Sequence, residues 1–207
     1  MSLAQWLQAW LRGSRAAQLE AAIRLHESGD VTGAEQRYRA ILDADARDPD
    51  ATHLLGLIAH QRGDHALAVA QISAAIALKA DKAIYHYNLG NALAALDRPE
   101  AAAESFRAAA KLDPVHVAAR SNLAHALTQA NRHQEAAAEY RRLLQLQPSA
   151  AARNALARAL IQCADADASG AHNYQQIYEE ATALLQQAWQ DADDPAEARL
   201  ALAFCLQ

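Results

Sequence analysis

Aromatic side chains are scarce. Phe, Trp and Tyr make up 5 % of the 207 residues, although the hydrophobic share is 52 %. Alanine supplies much of that share, in runs such as 101–103, 108–110 and 136–138. It is the best helix former, and its small side chain lets helices approach closely. The shortage of rings therefore points to an all-α protein of thin, tightly packed layers. Cysteine is nearly absent. Cys163 and Cys205 lie far apart and form no metal-type pair. They fit free thiols in a reducing compartment at least as well as a disulfide. An excess of basic charge is also missing, since the formal net charge is −5. A general nucleic-acid binder normally presents a basic surface, so nucleic acid is not an expected partner. No apolar run approaches the roughly 20 residues of a membrane span. The opening MSLAQWLQAWLRGS has neither the basic start nor the unbroken apolar stretch of a signal peptide. These absences predict a cytoplasmic protein without membrane contact.

Catalytic signatures are missing too. The sequence has no GxSxG, no Walker phosphate loop, no GxGxxG, no HExxH and no CxxC. Acidic pairs such as Glu179-Glu180 and Asp193-Asp194 read as solvated faces and caps. The expectation is that these residues perform no chemistry and hold no cofactor.

What the sequence does contain is a period. In a 34-residue frame starting at Arg15, Pro49, Ala83 and Val117, position 20 is Ala34, Ala68, Ala102 and Ala136. Position 24 is Tyr38, Ile72, Phe106 and Tyr140, always large and apolar. Position 8 is Ala22, Gly56, Gly90 and Ala124, always small. Position 15 is Gly29, Gly63, Asp97 and Asn131, all turn formers. Position 32 is Ala46, Ala80, Pro114 and Pro148. Each frame reads as helix, short turn, helix. Gly29 and Gly63 suit the left-handed position that ends a helix. Asp97 reads as a cap ahead of Pro99, which sits in a first turn where its missing N–H costs nothing. Thr32 and Glu35 have capping-box spacing. One such hairpin cannot bury its apolar face alone, but stacked neighbours can.

This pattern resembles the tetratricopeptide repeat, whose signature is a small residue at 8, Ala at 20, an aromatic at 24 and Pro at 32. The match is closest over YHYNLGNALAALDRP and the residues that follow to Pro114. The resemblance implies a right-handed superhelical α-solenoid of antiparallel helix pairs, about 12 helices in all. It divides the chain into four repeats at 15–48, 49–82, 83–116 and 117–150. Residues 1–14 read as an N-terminal capping helix, and 151–207 as a degenerate fifth repeat with further C-terminal helices. Within the latter, 150–162 continues as a first helix, 163–171 is a turn-rich insertion, and 174–190 is a long helix. A last helix starts at Asp194-Pro195 and runs to Gln207 without a stop signal. That open end suggests a fragment of a longer protein or end-to-end pairing, because solenoids normally finish with a polar face. Trp6 and Trp10 either pack as a cap or serve self-association into a homo-oligomer.

In the family, the first helix of each repeat faces a concave groove. Carried over position by position, the groove here holds His53, Leu57, His60, Gln61, Tyr87, Asn88, Asn91, Ser121, Asn122, His125 and Gln129, with His26 and Asp50 beside them. Asn88 and Asn122 lie 34 residues apart, each followed by Leu and a small residue. They resemble the asparagine ladder in the repeat arm of O-linked N-acetylglucosamine transferases. An amide offers donors and an acceptor to any peptide unit regardless of its side chains. The ladder is short, since the equivalent positions upstream are Glu20 and Leu54. The alternative is that both amides bond to neighbouring helices. No basic residue occupies these positions, which argues against a carboxylate clamp for chaperone tails. The histidines share a face without completing a tetrahedral ligand set, so no metal is expected.

The resulting reading is a protein-interaction scaffold that holds an extended peptide or partner segment in the groove. One alternative is the recognition arm of a larger glycosyltransferase, methyltransferase or hydroxylase whose catalytic domain lies beyond residue 207. Another is a self-assembly module.

Overall fold

A computed structural model describes residues 13–166 and 174–191. Ten helices occur among the described residues, and no strand. They are α1 (Arg15–Glu27), α2 (Val31–Ala44), α3 (Pro49–Gln61), α4 (His65–Leu78), α5 (Ala83–Ala95), α6 (Pro99–Leu112), α7 (Val117–Gln129), α8 (His133–Leu146), α9 (Ala150–Ala166) and α10 (Tyr174–Asp191). The expected capping helix at the N-terminus, Trp6, Trp10, the last helix from Asp194 and Cys205 lie outside the described residues. The chain divides between Leu96 and Asp97 into two compact units. The first contains α1 to α5 and the second α6 to α10.

The turns set the topology. Gly29, Gly63, Asp97 and Asn131 all adopt left-handed backbone, with φ of 89°, 82°, 54° and 57°. Asp and Asn are among the few residues with a Cβ that tolerate this region. Three of the four turns close in the Schellman pattern. Asp30 N–H donates to Leu25 C=O, Asp64 to Ala59 and Arg132 to Leu127, at 2.9, 2.9 and 2.8 Å. These bonds satisfy carbonyls that the helix end leaves open. Two of the cap assignments read from the sequence are corrected here. The α2 cap is Asp30, whose carboxylate accepts from Gly33 N–H, and Thr32 is already inside the helix. An aspartate that follows the turn glycine directly reaches the first free N–H groups before the threonine can. Asp97 is not a cap, because it holds the left-handed turn and Arg98 precedes α6. Asp48, Asp64 and His116 cap α3, α4 and α7. The insertion also starts later than its composition suggests, since α9 runs to Ala166.

Within the first unit, consecutive helices pack on one another and α3 also meets α5. Its core is built from the repeating small and large positions. Ala22, Ala34, Tyr38 and Ile41 are buried together with Ala51 and Ile58, and Ala68, Ile72 and Ala75 with Tyr85. Gly56 shows why position 8 must be small. A Cβ there would lie 2.6 Å from Ile72 Cγ1 and 3.3 Å from Ala68 C=O. The frame thus works as a contact code: position 8 meets positions 20 and 24 across one hairpin. In the second unit each helix again packs on the next. Ala102, Phe106, Ala136 and Tyr140 occupy the buried positions. Arg120 on α7 and Glu139 on α8 form a nearly buried ion pair at 2.7 Å that ties the two helices together. On its outer side Glu104, Arg107, Arg132 and Glu135 close a four-membered ring of ion pairs.

Candidate functional site

The first helices of the first unit are stitched together by polar groups. Arg15 on α1 donates Nε–H and Nη2–H to Asp48, at 2.6 and 2.7 Å, and a further N–H to Asp50. Tyr85 on α5 donates its hydroxyl to Asp50. Its ring stacks on His53 of α3, with centroids 4.3 Å apart. Asn88 donates its side-chain N–H to His53 Nε2 at 2.9 Å, so the neutral imidazole carries its proton on Nδ1. The hydrogen bonds from Arg15 hold the Asp48 carboxyl below its usual range. Burial pushes the Asp50 carboxyl up, but hydrogen bonds from Tyr85 and Arg15 outweigh it and leave its pKa lowered. Burial lowers His53 to about 4, against a weaker opposing pull from Asp50. The network is thus fixed as charged carboxylates around a neutral imidazole at ordinary pH.

This changes the place of two residues expected to face a groove. His53 is 5 % exposed and belongs to the packing of α3 against α5. Asn88 is half-buried and bonds to that neighbouring helix, one of the two readings its sequence context allows. Leu57, Tyr87 and Asn91 are half-buried, and Gln61 is exposed. Gln61 Oε1 accepts from His26 Nε2–H at 2.9 Å. His60 sits beside His65.

The second unit contains a cleft of about 330 Å³ between α7 and α9. Val117, Ser121 and His125 form the α7 wall, and Tyr140 and Leu143 of α8 form the floor. Ala151, Ala152 and Ala155 form the α9 wall, and Gln147 and Ser149 close one end. Ser121 and His125 are four residues apart and so share one face of α7. Asn122 is half-buried and Gln129 exposed on the same helix, but neither lines the cleft. The alanine wall was not among the expected site residues. Its signal was available, because one more 34-residue step carries Val117 and Ser121 onto Ala151 and Ala155. Burial raises the Tyr140 phenol, against a hydrogen bond with Thr128, so it lines the cleft in its neutral form.

Among the described residues no group of three His, Cys, Asp or Glu side chains is placed to hold a metal ion. No helix there is long and apolar enough to cross a membrane.

Helix pairs on a 34-residue period, closed by left-handed turns and alanine contacts, define a repeat protein of the helical-hairpin class. The tetratricopeptide-repeat profile matches residues 19–83 and 87–151, and the chain belongs to that family. The fold is consistent with a protein–protein interaction scaffold. No curated protein is a significant match to the chain. Among solved structures, YrrB, described as a TPR protein with an unusual peptide-binding site, is similar at a TM-score of 0.76 and 17 % identity. That alignment covers 97 % of both chains. MamA is similar at a TM-score of 0.70 and 20 % identity, covering 88 % of this chain and 94 % of that one. An O-GlcNAc transferase of Thermobaculum terrenum is 31 % identical at a TM-score of 0.58, over 63 % of this chain and 26 % of that protein.

Proposed function

We propose that this chain is a protein-interaction scaffold that holds extended peptide segments against its first helices, with the cleft between α7 and α9 as the principal seat. The observation that carries this reading is the chemistry of the cleft. Its lining has no Asp, Glu, Lys or Arg, and it sets Ser121 and His125 opposite a wall of methyl groups. Ser121 and His125 can each hydrogen-bond a peptide main chain. The alanines, Leu143 and the ring of Tyr140 accept an uncharged side chain. A charged side chain would lose its hydration there without a partner. The same reading extends to the first-helix faces of the first unit, where Leu57, Gln61, Tyr87 and Asn91 lie. It assigns no reaction to these residues.

Selection of a displayed random-peptide library on the whole chain tests it. The expected binders carry an uncharged apolar residue at a fixed position. Their binding is lost with Ala155→Arg and reduced about tenfold or more with His125→Ala, while helicity is unchanged. Binders indifferent to Ala155→Arg would move the binding surface away from this cleft.

A second reading is that the chain serves as the substrate-recognition arm of a larger glycosyltransferase. The 31 % identity to the Thermobaculum terrenum O-GlcNAc transferase supports it. It is tested by whether selected peptides are modified when the complete gene product is supplied with a nucleotide sugar.

A further inference from the structure

The turn between α3 and α4 brings two imidazoles together. His60 lies in the last turn of α3 and His65 is the first residue of α4. The backbone between them is held by three hydrogen bonds: Gly63 N–H to His60 C=O, Asp64 N–H to Ala59 C=O and His65 N–H to Gly63 C=O, at 3.0, 2.9 and 3.0 Å. Gly63 supplies the left-handed φ that this reversal needs. The two ring planes are tilted by 52°, and the Nδ1 atoms stand 3.0 Å apart. None of the other three turns carries histidine at both positions. The equivalent pairs are His26 and Val31, Ala94 and Pro99, and Thr128 and His133.

The geometry points to a two-histidine site for a divalent copper or nickel ion, held by Nδ1 of His60 and Nδ1 of His65. With metal–nitrogen bonds of about 2.0–2.1 Å, two nitrogens 3.0 Å apart subtend about 94° at the metal. That is the angle between adjacent ligands in the square-planar or tetragonal geometry of Cu(II) and Ni(II). Imidazole nitrogens accept zinc as well, and the general stability order of divalent ions at a nitrogen site places copper above both nickel and zinc. Hydrogen-bonded to each other, one Nδ1 carries a proton and the other accepts it. Binding moves that proton to Nε2 of the same ring, which frees both Nδ1 lone pairs and releases no proton. Among the described residues no third His, Cys, Asp or Glu completes the set. The remaining positions are left to water, or to donors brought by whatever docks nearby.

The test titrates the full, untagged chain with copper sulfate, and separately with nickel and zinc sulfates, in a non-coordinating buffer near pH 7.5. Binding is followed calorimetrically, with electron paramagnetic resonance of the copper complex. The expected result is one saturable copper site at micromolar concentration, nitrogen hyperfine structure from two imidazoles, and weaker zinc binding. His60→Ala and His65→Ala should each weaken copper binding by about tenfold or more, and His86→Ala should leave it unchanged. If His60→Ala loses helicity, His60→Gln keeps a polar group beside His65 while removing the ligand, and becomes the deciding variant. Absence of saturable copper binding overturns the proposal. So does binding that survives loss of either histidine, since the ion would then sit elsewhere on the chain.

Discussion

Gly56 offers the sharpest test of how this repeat is packed. Alanine in place of glycine in an exposed helix stabilises by about 0.5–1 kcal/mol, because the helix no longer carries the entropy cost of glycine. At position 56 the sign should reverse. The added Cβ would meet Ile72 Cγ1 at 2.6 Å, and both Ala68 C=O and Ile72 N at 3.3 Å. Ile72 is fully buried and cannot swing into solvent, so α3 and α4 must separate or the side chain must leave its rotamer. Overpacking of this kind costs about 1–3 kcal/mol. After the helix-propensity gain the net loss is up to about 2.5 kcal/mol, and the melting temperature of a chain this size should fall by up to roughly 10 °C. Thermal melts and urea titrations followed by circular dichroism at the helix band measure it. A double variant separates the contact from generic damage. Ile72→Ala alone costs about 2–5 kcal/mol as a cavity. Combined with Gly56→Ala it should cost at least about 1 kcal/mol less than the sum, because the alanine methyl then has room. A stabilising Gly56→Ala, or strict additivity in the double variant, would refute the close contact between positions 8 and 24.

Three further outcomes follow from other parts of the molecule. Gly63→Ala meets no neighbour within 4 Å yet should still cost about 1 kcal/mol, because its φ of 82° lies in the left-handed region; Gly63→Asn should cost less, as Asn131 holds the equivalent turn, and melting temperatures of the two variants decide it. His53 titrates near 6.5 when unfolded and at about 4 when folded, so below pH 6.5 the unfolded chain binds a proton that the folded chain refuses. Stability should therefore drop as pH falls from 6.5 towards 4, by up to about 1.4 kcal/mol per pH unit from this group, and urea midpoints of His53→Gln should vary less over that window. The ring of Glu104, Arg107, Arg132 and Glu135 is exposed to solvent, so Glu135→Gln should cost less than about 1 kcal/mol, and its melting-temperature deficit should shrink in high salt.

The sequence by itself determined the repeat, its period and its hairpin turns. These are written as residue size at fixed spacing: alanine or glycine where backbones touch, a large apolar residue where a gap must be filled, and a residue tolerant of left-handed backbone where the chain reverses. Such requirements act at every copy and leave the same mark each time, as at Ala34, Ala68, Ala102 and Ala136. It also identified two of the residues that line the cleft, Ser121 and His125. The tertiary structure decided which polar side chains on a first helix face outward. His53 and His125 sit at positions 5 and 9 of the frame, one helical turn apart on the same face, yet one is stacked under Tyr85 and the other is exposed. The difference lies in the helix packed alongside, where Asn88 meets His53 Nε2 and Tyr85 covers the ring. Local competition escaped the sequence in the same way. Asp30 and Thr32 both have capping chemistry, and only the geometry of the preceding turn selects between them. The alanine wall of α9 carries no polar mark; the 34-residue step from Val117 and Ser121 points to its place, and the packing of α7 and α8 against it makes it one side of a cleft.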